Sequence, residues 1–306
     1  MPKMHVEKTT TISAPIEKIF STLNDFNQWR VWSPWLIQEP EAKVTVNENS
    51  KSYSWEGNRV GSGNMAITKE EEGKSIDYDL NFLKPWKSHA KVRFEFKETK
   101  EGVEVKWFMD SSLPIFMFWM KKMMVAFVGM DYARGLAMLK EYVETGEVSS
   151  KLEFKGETQL SGQKYIGVTT NCAMSEIGPQ MEKDLGGLGA WAGQNAEISG
   201  QPLTIYHKWD MVNEKVQYTS AIPVKEIPDN LPSQYHSGEV PELKTYCVSH
   251  TGAYHHLGNA WSTGMNMQQN KVFKPSKAHH PFEIYVSDPA EVSEKELVTE
   301  IHFPIK

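Results

Sequence analysis

The residue whose type and setting most clearly suggest chemistry is Glu283. It lies in the stretch PFEIYVSDP, whose apolar and aromatic residues are typical of a β-strand. Side chains alternate across a strand, so Glu283 and Tyr285 share one face while Phe282 and Ile284 share the other. An earlier stretch, PLTIYHKWD, is similar but has Thr204 in place of the glutamate. One of two similar strands therefore carries a carboxylate where burial is expected.

A buried carboxylate costs desolvation free energy unless it is paired, protonated or met by a ligand. A lipophilic organic cation suits such a site. Coulomb attraction offsets the desolvation, and each aromatic ring face adds about 1 kcal/mol of cation–π attraction. The simpler alternative is that Glu283 pairs with a lysine or lies on a solvated face of the sheet.

The elements that must position Glu283 follow one order twice in the second half of the chain. Two segments, residues 160–226 and 242–306 in approximate bounds, each predict a strand, a helix with an Ala-Trp pair, and two strands. A β-α-β-β unit of this size cannot bury both faces alone, so we expect the copies to pack about a pseudo-twofold axis with a cleft between them. The residues predicted to line that cleft and bind a ligand are Glu283, Tyr285, Tyr206, Thr204, Trp191, Tyr254 and Trp261.

The first half of the chain predicts a different arrangement. A strand over Val6–Ile12 precedes a short helix opened by Pro15, and six strand-like segments follow, separated by glycine, asparagine and charged turns. The period then changes, and Met117–Glu144 predicts one long helix that ends at Gly146. We expect an α+β domain in which an antiparallel sheet wraps around this helix. A second cavity could be lined by aromatic residues that otherwise belong to a plain core: Trp55, Tyr78, Trp86, Phe94 and Trp107.

Length, charge and cysteine content limit the classes of protein to which the chain can belong. A chain of 306 residues predicts two domains, and a polar, turn-rich segment places the boundary between residues 1–148 and 152–306. The net charge is −6, neither half has a basic excess, and no helix-turn-helix or zinc-finger spacing occurs, so we expect no direct nucleic-acid binding. The two cysteines form no C-x-x-C pair, and the N-terminus lacks the apolar core of a signal peptide, which favours the cytoplasm.

Three other motifs give no indication of a metal, phosphate or membrane-spanning site. The adjacent pairs His255-His256 and His279-His280 point their side chains in different directions and have no cysteine or acid at ligand spacing, so we predict no metal site. GSGN at residues 61–64 joins strand to strand and is a hairpin turn, not a phosphate-binding loop, and we expect no cofactor. The apolar run LPIFMFWMKKMMVAFVGM is interrupted by two lysines and favours a core or cavity-covering helix over a membrane-surface helix, with no stable membrane insertion.

The second half resembles the GyrI-like family, the effector-binding module of bacterial multidrug-responsive transcription activators. The resemblance is carried by HTGAYHHLGNAW, FEIYVSDP, TEIHFPI, IGPQM and IYHKWD, and it covers the chain from about Phe154 to the end. It implies that Glu283 lies in the cleft and meets cationic lipophilic ligands. Some members of the superfamily are hydrolases of reactive natural products, which implies as an alternative that Glu283 orients or deprotonates water. No nucleophile–base–orienter triad is legible here.

The first half resembles the SRPBCC superfamily, the START-like helix-grip fold of polyketide cyclases and lipid-transfer proteins. The resemblance is carried by SAPIEKIFSTLNDFNQWRVWSPW, YSWEGNRVGSGNMAI and MDYARGLAMLKEYVE, and it covers nearly all of Met1–Glu147. It implies an apolar ligand held between the sheet and the long helix.

Taken together, these features predict a protein that binds lipophilic, cationic small molecules in a regulatory or sequestering role, without a DNA-binding domain of its own. Any regulatory output would then pass through a protein partner. Two alternatives remain: a detoxifying hydrolase that uses Glu283, and a protein-binding inhibitor of the gyrase-inhibitor type.

Overall fold

The computed structural model describes residues 3–113 and 115–306. The chain divides into two compact units, the first ending at Ser149 and the second spanning Ser150–Lys306. Each unit contains one antiparallel sheet together with helices, which confirms the predicted α+β class. None of the helices within these described ranges is long and apolar enough to cross a membrane.

The first unit is organised around a seven-stranded sheet in the order β1-β7-β6-β5-β4-β3-β2. Its elements are β1 (Lys3–Ile12), α1 (Ile16–Leu23), α2 (Trp29–Trp32), β2 (Lys43–Val46), β3 (Ser52–Glu56), β4 (Ser62–Glu71), β5 (Ser75–Lys84), β6 (Ser88–Thr99), β7 (Gly102–Ser112) and α3 (Lys121–Thr145). The long helix α3 packs on β1, so the sheet and this helix enclose the core of the unit.

The long helix begins later than its sequence pattern predicts. Residues Ile115–Met120 form a 3-10 helix, and α3 proper starts at Lys121. It ends as predicted at Gly146, which adopts a left-handed conformation with φ of 89° that favours glycine. The apolar run is not wholly core, because Ile115, Phe118 and Trp119 of the 3-10 segment are exposed.

The second unit contains an eight-stranded antiparallel sheet in the order β12-β9-β11-β10-β14-β15-β13-β8. Its elements are β8 (Ser150–Leu160), β9 (Gln163–Ala173), α4 (Ile177–Asn195), β10 (Leu203–Asp210), β11 (Lys215–Pro223), β12 (His236–Val240), β13 (Leu243–Gly252), α5 (Gly258–Gln269), β14 (Phe282–Tyr285) and β15 (Val298–Pro304). Helix α4 packs on β9 and β11, and helix α5 packs on β13 and β15.

Each of the two edge strands of this sheet pairs with a strand from the other half of the unit, not with the strand that follows it in sequence. Strand β8 immediately precedes β9 in sequence but pairs with β13, and β12 immediately precedes β13 but pairs with β9. The polar composition of the segment containing β8 predicted a turn-rich domain boundary. In the structure this segment is an edge strand. From residue 151 to residue 160 its side chains alternate between exposed and half-buried, as expected for a strand at the edge of a sheet.

Candidate functional site

Glu283 lies at the centre of the second unit's sheet. Strand β14 carries it opposite Thr204 of β10 on one side and opposite Ile301 of β15 on the other. The side chain is on the face covered by α4 and α5, because it is bonded to Trp261 of α5 and shares Tyr285 with Met181 of α4. Its exposed fraction is 2%, so the carboxylate is buried within a layer between sheet and helices.

Three neutral donors hold the Glu283 carboxylate. The indole Nε1 of Trp261 donates to Oε1, the hydroxyl of Tyr285 donates to Oε2 at 2.8 Å, and the hydroxyl of Tyr206 adds a third hydrogen bond. Burial raises the pKa of Glu283, and the three donors lower it in part. Burial also raises the pKa values of Tyr206 and Tyr285 far above their usual range, so both hydroxyls remain neutral donors.

Glu283 has no cationic partner in the part of the chain that the structure describes. The groups that shift its pKa are its own burial and the three aromatic donors, and none is a lysine, arginine or histidine. Buried charges in proteins are usually paired or bound to metal ions. The carboxylate of Glu283 is therefore hydrogen-bonded, but its negative charge has no positive partner among the described residues.

Aromatic rings form the walls around the carboxylate. The ring of Tyr206 stacks on Trp209 at 4.8 Å between centroids and meets Trp261 edge-on at 4.8 Å, and Tyr254 meets Tyr285 edge-on at 5.8 Å. Trp209 and Tyr254 are only half-buried. They form the part of the wall nearest solvent.

The structure brings together most of the residues predicted to line this site. Thr204 is fully buried, and its Oγ1 lies 3.1 Å from the hydroxyl of Tyr285. Trp191 is placed elsewhere: it packs in a separate apolar cluster with Leu188 and lies 5.9 Å from the ring of Tyr235. The residues gathered around the carboxylate are Glu283, Tyr285, Tyr206, Thr204, Tyr254 and Trp261.

A second acid, Asp184, lies beside the aromatic cluster and was not predicted from the sequence. Asp184 of α4 accepts hydrogen bonds from the hydroxyl of Thr170 at 2.7 Å and from the hydroxyl of Tyr218 at 3.2 Å. The ring of Tyr218 in turn lies 6.2 Å from the ring of Tyr206, so Asp184 is bonded to a neighbour of the aromatic wall around Glu283. The sequence does indicate the position of Asp184. It follows Met181 by three residues, and residues three apart lie on the same face of a helix, here the face of α4 that packs on the sheet.

A surface groove of about 310 Å³ lies away from Glu283, at the solvent-facing ends of three strands. It is lined by Asn171, Cys172, Ala173, Lys208, Asp210, Lys215, Val216 and Gln217. Cys172 and Val216 also contact the aromatic cluster. Its lysines make it unsuited to a cation, and the buried carboxylate remains the better candidate.

The first unit buries most of its predicted cavity residues in one aromatic core. Trp55, Tyr78, Phe94 and Trp107 all belong to it, and Trp107 is stacked between Phe94 at 4.8 Å and Tyr132 at 3.8 Å. Trp86 is 48% exposed and lies outside this core. The indole nitrogens of Trp32 and Trp107 are buried with no hydrogen-bond partner among the described protein atoms, which is uncommon for buried polar groups.

Comparison with known protein families gives one match for each unit. Residues 3–144 match the family described as polyketide cyclase / dehydrase and lipid transport. Residues 157–306 match the GyrI-like small molecule binding domain. No curated protein matches the sequence of the chain.

Several solved structures show a partial similarity to this chain. A cryo-EM structure of the EcmrR–DNA complex is 14% identical, covering 60% of this chain and 68% of that chain with a TM-score of 0.43. The structure of SAV2435 bound to tetraphenylphosphonium is 15% identical, covering 50% and 94% with a TM-score of 0.40. Protein MLL2253 from Mesorhizobium loti is 15% identical, covering 47% and 99% with a TM-score of 0.36.

Proposed function

Because residues 3–144 belong to the polyketide cyclase / dehydrase and lipid transport family and residues 157–306 are a GyrI-like small molecule binding domain, we propose that the protein binds lipophilic organic cations at Glu283. Binding serves to sequester such molecules or to report their presence to a protein partner. The first unit takes a second, apolar ligand that offers a hydrogen-bond acceptor to Trp32 and Trp107.

The observation that carries the proposal is the buried carboxylate without a basic partner. A cation entering the site regains Coulomb energy that the ligand-free protein lacks, and the surrounding rings replace its weak hydration with apolar and cation–π contacts. A neutral apolar molecule would gain only the ring contacts. A small, strongly hydrated cation would lose more hydration than the site returns. Lipophilic cations with a diffuse charge therefore fit best.

We also infer that the two halves of the second unit are copies of one β-α-β-β motif related by a pseudo-twofold axis. The strand order supports this, since β9-β11-β10 is followed by β14-β15-β13, which is the same order reversed. The axis would pass between β10 and β14, where Thr204 and Glu283 are paired. Only one copy carries the acid, which gives a single charged site per chain.

The proposal is tested by calorimetric titration of the full chain with tetraphenylphosphonium. Glu283→Gln keeps the shape and part of the hydrogen bonding but removes the charge. A charge pair at about 5 Å with an effective dielectric constant of about 20 is worth about 3 kcal/mol, so the affinity should fall by roughly 100-fold. Triphenylphosphine oxide, which is neutral, should bind wild type and variant equally.

A matched pair of tryptophan variants locates the site. Trp261→Phe removes the indole donor to Glu283 and should weaken binding, whereas Trp191→Phe changes a tryptophan of the other cluster and should not. Unchanged cation affinity in Glu283→Gln, or equal effects of the two tryptophan variants, would overturn the assignment. Recovery of the phosphonium chemically unaltered after prolonged incubation distinguishes binding from turnover.

A further inference from the structure

A cysteine, a histidine and a glutamate meet on the opposite face of the same sheet. Cys247 of β13 pairs directly with His302 of β15, and Glu300 lies two residues before His302, on the same face of that strand. Cys247 is fully buried and His302 is 1% exposed, while the side chain of Glu300 is 21% exposed. Of the three residues, Glu300 is therefore the one nearest solvent.

The three potential ligand atoms converge. Sγ of Cys247 lies 3.9 Å from Nε2 of His302, and that same nitrogen lies 3.2 Å from Oε2 of Glu300. All three ligand atoms lie within 4.8 Å of one another. A tetrahedral zinc ion with Zn–S of about 2.3 Å and Zn–N and Zn–O of about 2.1 Å would separate sulfur from nitrogen by about 3.6 Å and nitrogen from oxygen by about 3.4 Å. The observed separations differ from these by a few tenths of an ångström.

The surrounding residues fix the orientation of the imidazole. Nδ1 of His302 lies 2.9 Å from Oγ1 of Thr245, and Thr245 is itself bonded to Thr158 at 2.9 Å. The ring also stacks on Phe282 with an interplanar angle of 18°. The hydrogen bond between Nδ1 and Thr245 fixes the ring so that Nε2 faces the thiol and the carboxylate, and an ion bound there would replace the proton on Nε2. Metal-binding histidines are commonly held in this way by an acceptor on the other nitrogen.

A lysine holds the carboxylate of Glu300 in place. Glu300 is bonded through Oε1 to Lys155, which leaves Oε2 directed at His302. Because a cysteine binds a metal ion as the thiolate, ion binding at Cys247 would release the thiol proton.

We propose that Cys247, His302 and Glu300 bind Zn²⁺ or a similar thiophilic divalent ion, with a fourth coordination position open. A thiolate, an imidazole and one carboxylate form the donor set that zinc and cobalt prefer, whereas magnesium and calcium require mainly oxygen ligands. Residue spacing in the sequence indicates only the adjacent histidine pairs as candidate metal ligands. The three residues assemble only when β13 and β15 pair.

Cobalt titration tests the site, because a Co²⁺–thiolate bond gives an intense near-ultraviolet charge-transfer band that histidine and carboxylate ligands do not. The full chain should develop this band with one equivalent of Co²⁺ and lose it when Zn²⁺ is added. Cys247→Ser should abolish the band. Cys172→Ser is the matched control, since it removes the only other cysteine and should leave the band unchanged.

A variant that spares all three ligands separates metal binding from a structural role. Thr245→Val removes the acceptor for Nδ1 of His302 and should weaken Co²⁺ affinity by about 10- to 100-fold while retaining the charge-transfer band. Should Cys247→Ser fail to fold, as judged by circular dichroism, the Thr245→Val titration decides. The proposal is overturned if the wild-type chain shows no band, if Cys172→Ser is the variant that loses it, or if Thr245→Val binds Co²⁺ as tightly as wild type.

Discussion

Two glycines in the helices of the second unit should respond in opposite ways to the same substitution. A Cβ at Gly264 of α5 would overlap Cε2 and Cζ of the Phe303 ring and approach Cδ2 to 3.1 Å. Phe303 is 3% exposed and is flanked by Trp261 at 5.5 Å and Phe273 at 5.6 Å, so the ring has no free space to move into. At Gly186 of α4, an added Cβ would meet nothing within 4 Å.

The magnitudes follow from two opposing effects. Overpacking a dense core costs about 1–3 kcal/mol, and the rigid flanks of Phe303 place Gly264→Ala near the upper end. Replacing glycine by alanine inside a helix increases the free energy of unfolding by about 1 kcal/mol, because alanine has the higher helix propensity. Gly264→Ala should therefore lower the free energy of unfolding by about 2 kcal/mol, and Gly186→Ala should raise it by up to about 1 kcal/mol.

Urea unfolding of the full chain measures both variants, with hydrogen exchange in β15 reporting on the second unit separately. The midpoint should move in opposite directions at an unchanged m-value. Because Trp261 contacts both Phe303 and Glu283, Gly264→Ala should also weaken tetraphenylphosphonium binding. Equal stability of the two variants, or a stabilised Gly264→Ala, would refute the close approach of α5 to the sheet.

Three further predictions concern single residues. Glu39 is buried and accepts hydrogen bonds from the backbone N–H groups of Asn58, Arg59 and Val60 at 2.7–2.9 Å, so Glu39→Gln should destabilise the first unit by about 1–3 kcal/mol in denaturant unfolding. The control is Glu41→Gln: Glu41 is exposed and paired with Arg59, so its substitution should cost less than about 1 kcal/mol. Burial lowers the pKa of His250 from 6.5 to about 4, so between these values the unfolded chain binds the extra proton. Stability should then fall by about 3 kcal/mol as pH drops through that window, and His250→Gln should remove this dependence in pH-resolved unfolding; an unchanged pH profile would contradict it. Because burial raises the pKa of Glu283, cation affinity should decline as pH falls through that raised pKa, whereas Glu283→Gln should bind independently of pH in the same titrations.

The sequence predicted the strands and helices that bury a regular apolar face. The register that sets Thr204 opposite Glu283 follows from the similarity of the two stretches and from the two-residue period of a strand. The sequence could not show that the donors to Glu283 come from three different elements. Trp261 lies on α5, Tyr206 on β10 and Tyr285 on β14 itself, and only the packing of α5 on the sheet brings them together.

What escaped prediction has identifiable causes. Strands β8 and β12 are sheet edges with largely polar sequences, so periodicity did not mark them as strands. Trp191 and Trp261 occupy similar places in similar helices, yet the first packs on Tyr235 because residues after β11 fold back over α4. The Cys247, His302 and Glu300 cluster depends on strand pairing between distant segments, which residue spacing does not reveal.

The crossed edge strands have a consequence for how the second unit forms. Because β8 completes the sheet beside β13 and β12 completes it beside β9, each half supplies the border of the other. Pairing Ser150 of β8 with Gly252 of β13 requires closing a chain loop that contains the first β-α-β-β segment. The entropy of closing this loop must be lost before the pairing of β8 with β13 can stabilise the sheet. We expect slow, all-or-none folding with no stable isolated half, and expression of the halves as two separate chains should give soluble protein only when both are present.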